Sequence, residues 1–280
     1  MSEKYLGSPE AEGLHPLSHT VDYTQFVTRG FAKRYLTTYF KGIDADEQAI
    51  TEFLVREYKK IEGASALLDL GCGPGIQHVL PAVPYVDRID MADFLPDNLA
   101  ELRSWLAGSP DSHDWNHFTR LILESEGKLA EPQAIAKRES ELRSKLGAIE
   151  HVDVLREFPL GEPRRYPAIG FFYCAEAAAR TKEQWAQILT GVTPMIERGG
   201  FLFMASLRNA DYYTVNHPDA AAERIPTASI NERDFAELLP SLGFGKEQTL
   251  IEVVPVPAMA DHGIDEILLV SARKNAADET

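Results

Sequence analysis

Short apolar runs alternate with amphipathic stretches along most of the chain, and this alternation predicts the order of strands and helices. Seven runs rich in apolar residues predict strands at 66–70, 86–91, 149–155, 168–173, 201–205, 247–256 and 264–274. Helical spacing predicts helices at 47–60, 97–106, 109–126, 132–146, 181–196 and 229–243, and a further one that carries Phe31, Tyr35, Leu36 and Tyr39. Residues 2–20 mix glycine, proline, histidine and acidic residues without periodicity, and they predict an irregular arm.

The predicted strands and helices alternate through the centre of the chain, which is typical of a parallel sheet covered on both faces. The last two strands have no helix between them and predict an antiparallel hairpin. We therefore expect a single α/β domain over residues 1–280, with a Rossmann-like, mostly parallel sheet of seven strands. Residues 1–62 would form the arm and an N-terminal helical cap, and residues 63–280 the α/β core.

Two helix starts have the spacing of a capping box, in which two side chains three residues apart each bond a free backbone N–H. Thr181 and Gln184 have this spacing ahead of one helix, and Ser229 and Glu232 have it ahead of the next. Both pairs predict where a helix begins.

The composition narrows the classes of function. Of the 280 residues, 44% are hydrophobic and 25% are charged, which suffices for a full apolar core. The formal net charge of −15 would repel phosphate backbones, so we expect no nucleic-acid partner. No apolar run reaches 18 residues and no apolar segment follows Met1, so we expect a cytoplasmic protein that does not insert into membranes. Cys72 and Cys174 lie far apart and predict no disulfide.

The sharpest chemical signal is the segment LDLGCGPG at 68–75, directly after the first predicted strand. Glycines at alternate positions let the backbone pass close to a ligand, where a Cβ would collide. Ligands of such sheets lie at the carboxyl ends of the strands. The dinucleotide fingerprint would need glycine at position 76, which is Ile76, and no lysine follows the loop as it does in a P-loop. The segment therefore favours a nucleoside ligand with little anionic charge.

Carboxylates near the ends of the next two strands could bind such a nucleoside. Asp90 and Asp93 are both placed to accept hydrogen bonds from ribose hydroxyls, and Asp153 could accept one from an adenine amino group. Asp69 is expected to order the glycine loop. This ordered set is the arrangement in which class I methyltransferases bind S-adenosylmethionine, so we expect that cofactor.

Further segments carry a more specific resemblance. They are RYLTTYF at 34–40, DLGCGP at 69–74, DFLPDNL at 93–99, WL at 105–106, DW at 114–115, DV at 153–154, GGFL at 199–202, YY at 212–213 and LVSAR at 269–273. With them the chain resembles the nicotinamide, phenylethanolamine and indolethylamine (thioether) N-methyltransferases from about Phe26 onward. These enzymes methylate small amines, and the resemblance implies the same reaction and the class I methyltransferase fold.

The resemblance also implies which residues bind the cofactor. Tyr35 would close over the cofactor carboxylate, and the glycine loop would line the methionine and ribose. Asp93, with Asn98 beside it, is favoured over Asp90 for the ribose hydroxyls, and Val154 would lie with Asp153 against the adenine. The full expected set is Tyr35, Phe40, Asp69, Gly71, Cys72, Gly73, Gln77, Asp93, Phe94, Asn98, Asp153, Val154 and Cys174.

On the acceptor side, the resemblance implies Glu176 and Tyr39 as catalytic residues. A carboxylate can bind an aliphatic ammonium and pass its proton to solvent, which frees the nitrogen lone pair. The ring faces of Phe172 and Tyr173 could also contact a flat or cationic substrate, although packing in the core explains these two aromatic residues equally well. The expected substrate contacts are Tyr39, Glu176, Ser206, Tyr212 and Tyr213.

Several departures from the family pattern affect the acceptor. Gln77 stands where an aromatic residue is usual, Phe40 stands where tyrosine is common, and one residue is inserted before Tyr212. Ala205 replaces the aspartate with which the nicotinamide enzyme holds its amide, so nicotinamide is a poor candidate. An oxygen, carbon or sulfur acceptor stays open, as does a non-catalytic module that only binds the cofactor.

His113 and His117 lie four residues apart and could be metal ligands on one helix face. The sequence offers no third ligand beside them, and Asp114 with Trp115 matches a packing feature of the family, so we expect no metal. The expected partner is a small-molecule acceptor, and the expected state is a monomer or a weak homodimer.

Overall fold

The computed structural model describes residues 30–215, 223–257 and 264–276, and the predicted arm at 2–20 lies outside them. The helices in these ranges are α1 (Phe31–Tyr39), α2 (Ala45–Glu57), α3 (Pro96–Leu106), α4 (Asn116–Ser125), α5 (Pro132–Lys145), α6 (Lys182–Val192) and α7 (Glu232–Ser241). The strands are β1 (Leu67–Leu70), β2 (Ile89–Asp93), β3 (Leu146–His151), β4 (Tyr166–Phe172), β5 (Ile196–Leu207), β6 (Tyr212–Val215), β7 (Glu223–Pro226), β8 (Phe244–Pro255) and β9 (Glu266–Lys274).

Seven of these strands form one sheet in the order β3-β2-β1-β4-β5-β9-β8. Strands β1 to β5 run parallel, and β9 pairs antiparallel with both β5 and β8. The predicted α/β class, the seven-stranded sheet and the C-terminal antiparallel pair are thus confirmed. The small hairpin of β6 and β7 stands apart from this sheet and was not predicted.

The first strand shows why the sheet is apolar on both faces. Leu67 packs in one core cluster with Phe53 of α2, whereas its neighbour Leu68 packs in a second cluster with Trp185 of α6. Successive side chains of a strand point to opposite faces, so a central strand covered on both sides consists of consecutive apolar residues. This burial explains the short apolar runs in the sequence.

Parallel pairing brings the carboxyl ends of neighbouring strands to one edge of the sheet. Leu70 at the end of β1 lies beside Ala92 of β2, and Asp93 at the end of β2 lies beside His151 of β3. The loops that follow β1, β2, β3 and β4 therefore meet above this edge, where ligands of open α/β sheets bind.

One predicted helix start is correct and another is wrong. Thr181 Oγ1 accepts a hydrogen bond from the backbone N–H of Gln184 at 3.3 Å, as expected. The next helix begins later than Ser229, because Ile230 is held in an isolated bridge with Arg208 and is therefore extended. Its capping box is formed by Asn231 and Asp234.

Other boundaries differ for local reasons. The helix predicted over 109–126 begins only at Asn116, since the preceding segment turns where the N–H of Ser112 bonds the carbonyl of Ser109 at 3.1 Å. Strand β5 begins at Ile196, earlier than predicted, and continues through the glycine pair at 199–200. A Cβ at Gly200 would lie 2.7 Å from the carbonyl oxygen of Pro167, so glycine here permits close strand packing.

Helix α1 is held over the ligand edge of the sheet by bonds at both of its ends. At its start, the N–H of Ala32 bonds Asp97 Oδ2 at 2.8 Å. At its end, the Nε2 atoms of His113 and His117 each lie 3.1 Å from the carbonyl oxygen of Phe40. Within the described ranges, no helix combines the length and apolar character that crossing a membrane requires.

Candidate active site

A cavity of about 300 Å³ opens at the carboxyl ends of β1 to β4, beneath α1, and its volume is in the range of small-molecule pockets. Its wall combines a glycine loop, a row of aromatic rings and several carboxylates. The lining residues include Tyr35, Tyr39, Phe40, Asp44, Asp46, Glu47, Gly71, Gly73, Asp93, Phe94, Asn98, Asp153, Val154, Tyr173, Cys174, Leu207 and Tyr213.

The glycine loop turns sharply as it leaves β1. Gly71 has φ +68° and Gly73 has φ +62°, both in the left-handed region that favours glycine. A Cβ on Gly71 would lie 2.8 Å from the Cβ of Cys174 and closer still to its Sγ, so this glycine allows close packing of the loop on the end of β4. A Cβ on Gly73 would meet nothing within 4 Å, because this backbone borders open space in the cavity.

Asp93 at the end of β2 fixes both the loop and the cavity floor. Its Oδ2 accepts from the N–H of Gly73 at 2.8 Å, and its Oδ1 accepts from the N–H of Leu95 at 2.8 Å and from Asn98 Nδ2 at 2.9 Å. Burial raises the pKa of Asp93, although these hydrogen bonds oppose the increase. A carboxylate has about four acceptor sites, so Asp93 can still accept from a ligand hydroxyl.

Asp153 and Val154 follow β3 on the far side of the cavity. The Oδ1 of Asp153 accepts from the N–H of Leu155 at 3.1 Å, and its Oδ2 pairs with Arg156 Nε at 3.2 Å. The turn therefore holds the carboxylate at the wall beside the apolar side chain of Val154, as an adenine site needs.

Two observations test whether these residues fit S-adenosylmethionine. The amide oxygen of Asn98 is buried with no hydrogen-bond partner in the described part of the chain, although this residue lines the cavity. A ribose hydroxyl next to Asp93 would satisfy that oxygen. Gly73 leaves open space where a side chain would otherwise fill the cavity. The residues present therefore fit the cofactor.

Aromatic rings of α1 and of the chain after it cover the other side of the cavity. The Tyr35 ring lies 5.0 Å from that of Tyr39 and 5.7 Å from that of Phe40, between centroids. Such offset pairs leave ring faces and edges available to a flat or cationic ligand. Burial, with nearby carboxylates and phenols adding, raises the pKa of Tyr35, so its hydroxyl stays protonated at neutral pH.

Carboxylates from the first turn of α2 border the same cavity. Asp46 accepts a hydrogen bond from the Tyr173 hydroxyl at 3.0 Å, and Glu47 pairs with His78 Nε2 at 3.1 Å. Burial, assisted by the charge of Glu47, raises the pKa of Asp46 to about 6. Burial lowers the pKa of His78, but the Glu47 carboxylate outweighs this effect and the net shift is upward.

Six residues predicted for the site do not line the cavity. Glu176 is 1% exposed, and its Oε1 accepts from the backbone N–H of Leu207 at 3.0 Å, which places it behind that wall residue. Burial raises the pKa of Glu176 to about 7. The others, which are buried beneath the wall or turned away from it, are Asp69, Cys72, Gln77, Ser206 and Tyr212.

Three of those positions have a structural explanation. Gln77 packs under Gly75, where a Cβ would collide with it, and Tyr212 stacks with Arg224 at 4.5 Å. Asp69 is buried below the loop, and burial raises its pKa to about 7. Direct ligand contacts of these residues stay predictions.

Sequence reasoning missed part of the wall. The sequence predicts a helix at 47–60 and assigns no role to Asp44, Asp46 or Glu47, because only the packing of α2 beside the glycine loop brings them to the cavity. An acidic first turn is also favoured by the helix dipole alone, so the pattern carried no signal of a binding role.

His113 and His117 contact the same backbone carbonyl group. Both ring nitrogens converge on the Phe40 carbonyl oxygen, where they hold the end of α1. Within the described ranges, no three His, Cys, Asp or Glu side chains cluster as a metal site would require.

The fold has many relatives among solved structures. The DhpI–SAH complex superposes with a TM-score of 0.53 over 88% of this chain and 92% of the other, at 14% identity. The CcbJ methyltransferase from Streptomyces caelestis gives 0.53 over 91% of this chain and 100% of the other, at 12% identity. Together with the sheet order, these superpositions show that the chain has the fold of the class I methyltransferases.

The sequence defines the family within this class. Residues 18–274 match the model of the NNMT/PNMT/TEMT family, and the chain belongs to that family. The phenylethanolamine N-methyltransferase of Bos taurus is 27% identical over 205 residues, which cover 72% of this chain and 69% of the relative. The indolethylamine N-methyltransferase of Mus musculus is 28% identical over 192 residues, covering 65% and 72%, respectively. The nicotinamide N-methyltransferase of Homo sapiens is 27% identical over 190 residues, covering 65% and 71%.

These matches confirm the expected family, fold, enzyme class and cofactor. They also confirm the expected function at the level of the family, which is methyl transfer to small amines.

Proposed function

We propose that this protein methylates the nitrogen of a small amine with an aromatic or similarly flat apolar part. The supporting observation is that one cavity joins a nucleoside-binding wall to a wall of aromatic rings and carboxylates. None of the described lining residues is a lysine or an arginine. Such a wall disfavours anionic acceptors and favours cationic ones.

In this proposal, the ends of β1, β2 and β3 hold the cofactor. Asp93 and the amide oxygen of Asn98 accept from the ribose hydroxyls, and Asp153 and Val154 border the adenine. Tyr35 covers the methionine end from α1. When bound, S-adenosylmethionine supplies an electrophilic methyl group on a sulfonium, so the protein needs to align a nitrogen lone pair and exclude water.

The acceptor would lie between the rings of Tyr39 and Tyr213. Both line the cavity, and Tyr213 reaches it from the β6–β7 hairpin. The family resemblance predicts Glu176 beside the amine, and its buried carboxylate also positions Leu207 of the wall. Replacement of Tyr213 by alanine should raise the KM for the acceptor more than that for the cofactor.

The test is transfer of a labelled methyl group from methyl-deuterated S-adenosylmethionine. Purified protein is incubated with this cofactor and a small-molecule extract, and products that gain three deuterium atoms are identified by mass spectrometry. Fragment ions that place the label on nitrogen support the proposal. A label on oxygen, carbon or sulfur would overturn it. Cofactor binding with no labelled product from any extract would instead indicate a binding module.

We also propose that the protein is cytoplasmic, does not bind nucleic acid, and is a monomer or a weak homodimer. The formal charge of −15 supports the absence of a nucleic-acid partner. Analytical ultracentrifugation over a range of concentrations, with and without duplex DNA, tests the last two points.

A further inference from the structure

The carboxylate of Asp46 is, besides the amide of Asn98, a second group of the cavity wall whose bonding is incomplete. It is the second residue of α2, and it is 6% exposed. Its Oδ2 accepts from the Tyr173 hydroxyl, whereas its Oδ1 is buried with no hydrogen-bond partner among residues 30–215, 223–257 and 264–276. An unpaired buried carboxylate oxygen is costly unless a donor reaches it. Because Asp46 borders the cavity, a ligand can supply that donor.

The neighbouring carboxylates differ from Asp46 in this respect. Glu47 is paired with His78, and the charge of Glu47 favours the protonated imidazole, so the two charges neutralise each other. Asp44 also borders the cavity, but it is exposed. Asp93 accepts three hydrogen bonds from the protein. Asp46 is thus the buried wall carboxylate that a cation would stabilise most.

The backbone at Tyr173 supports a functional role for this pair. Tyr173 has φ +52°, a left-handed conformation that is strained for a bulky residue. The conformation follows directly after β4 and is held by the bond from its N–H to the carbonyl of Ala205 at 2.8 Å. It places the Tyr173 hydroxyl on Asp46, and thereby orients the carboxylate.

The order of strands indicates which ligand Asp46 meets. The adenine, ribose and methionine sites follow β3, β2 and β1 in turn, and β4 is the next strand of the sheet. Tyr173 follows β4, so the Asp46–Tyr173 pair lies beyond the methionine end of the cofactor site. This is the side from which an acceptor must approach.

We propose that Asp46 binds the protonated amino group of the methyl acceptor through Oδ1 and takes its proton. The inference rests on the proposed N-methyl transfer. An N–H bond of the ammonium breaks and an O–H bond forms on Asp46, while the electron pair stays on nitrogen. The neutral amine keeps its lone pair for the methyl group, and Asp46 later releases the proton to solvent. The family resemblance predicts Glu176 for this role. Its Oε2 is also buried with no hydrogen-bond partner in the described part of the chain, but Glu176 does not line the cavity, whereas Asp46 does.

The test compares charged and neutral probes on matched variants. Calorimetry measures binding of benzylamine, 2-phenylethylamine and 3-phenylpropylamine, and of the alcohols with the same carbon skeletons, to protein saturated with S-adenosylhomocysteine. Asp46→Asn keeps the shape and an acceptor for Tyr173. Asp44→Asn removes an equal charge from the exposed part of the same wall, and Glu176→Gln tests the alternative carboxylate.

The wild-type protein is expected to prefer the amines to their alcohols. Asp46→Asn should weaken amine binding by about tenfold or more, as expected for loss of a charge-assisted hydrogen bond. Alcohol binding should stay unchanged in Asp46→Asn, and Asp44→Asn and Glu176→Gln should weaken amine binding less than Asp46→Asn does.

Other results would overturn the inference and separate it from the proposed function. No preference for amines in the wild type, or equal losses in Asp46→Asn and Asp44→Asn, contradicts a specific ammonium site. The cofactor also carries an ammonium group. If Asp46→Asn weakens S-adenosylhomocysteine but not 5′-methylthioadenosine, Asp46 binds that group instead. Failure of the wild type to bind S-adenosylhomocysteine at all would refute the proposed function itself.

Discussion

The two left-handed glycines of the cofactor loop should respond differently to alanine. An added Cβ at either position bears the cost of a left-handed alanine, about 1–2 kcal/mol. At Gly71 the Cβ also overlaps Cys174, and overpacking of this kind adds about 1–3 kcal/mol. Gly71→Ala should therefore lower the free energy of unfolding by about 2–5 kcal/mol. Gly73→Ala should lower it by about 1–2 kcal/mol, because its Cβ meets only open space.

Gly73→Ala, the less destabilising of the two substitutions, should be the one that acts directly on ligand binding. The new methyl of Gly73→Ala occupies space in the cavity, so this well-folded variant should lose about tenfold in affinity for S-adenosylhomocysteine. Urea unfolding followed by tryptophan fluorescence measures stability, and calorimetry measures binding. Adding Cys174→Ala removes the nearest atom and should restore part of the stability of Gly71→Ala but none of Gly73→Ala. Equal stability losses for both glycines, or no effect of Cys174→Ala, would refute the packing argument.

Three further predictions concern stability, each measured by urea unfolding. Glu126→Gln should lower the free energy of unfolding by about 3–5 kcal/mol. It leaves the buried guanidinium of Arg138 without the carboxylate that it contacts at 2.7 and 2.6 Å. A decrease below about 1 kcal/mol, as for a surface ion pair, would contradict this. Asn231→Ala should lower the free energy of unfolding by about 1 kcal/mol through loss of the α7 cap, whereas Ser229→Ala should have no effect. A larger loss for Ser229→Ala than for Asn231→Ala would instead support the helix start predicted from the sequence. Burial raises the pKa of Asp69 from 3.8 to about 7. The contribution of Asp69 therefore favours the folded state most at low pH and is lost as the pH rises through that range. Asp69→Asn should gain stability relative to wild type as the pH increases from 5 to 8, and parallel pH profiles of the two proteins would count against a protonated Asp69.

The cofactor half of the site was predictable because its residues follow a local rule. Ligand-binding groups occur where apolar strand runs end. Asp93 is the last residue of β2, and Gly73 lies in the loop that follows β1. Parallel pairing then brings these ends together without any further information about packing. The start of the strand predicted at 201–205 was less accurate, because β5 already includes Gly200, where glycine permits close strand packing.

The acceptor half was less predictable because tertiary packing determines it. Asp46 lies in a different element from its partner Tyr173, 127 residues away in the chain, and nothing in the α2 pattern indicates this contact. The family resemblance directed attention to Glu176, whose carboxylate is directed to a backbone N–H behind the wall. A pattern of residue types could not show which carboxylate borders the cavity.

The position of β9 affects how the polypeptide can be assembled. This strand lies between β5 and β8, both of which precede it in the chain. During synthesis, β5 and β8 therefore emerge with unpaired edges and cannot join the same sheet until β9 inserts between them. Unpaired edges of this kind are prone to aggregation. Truncation before Glu266 should thus separate β8 from the sheet entirely, and ribosome-bound chains that lack β9 should depend on chaperones.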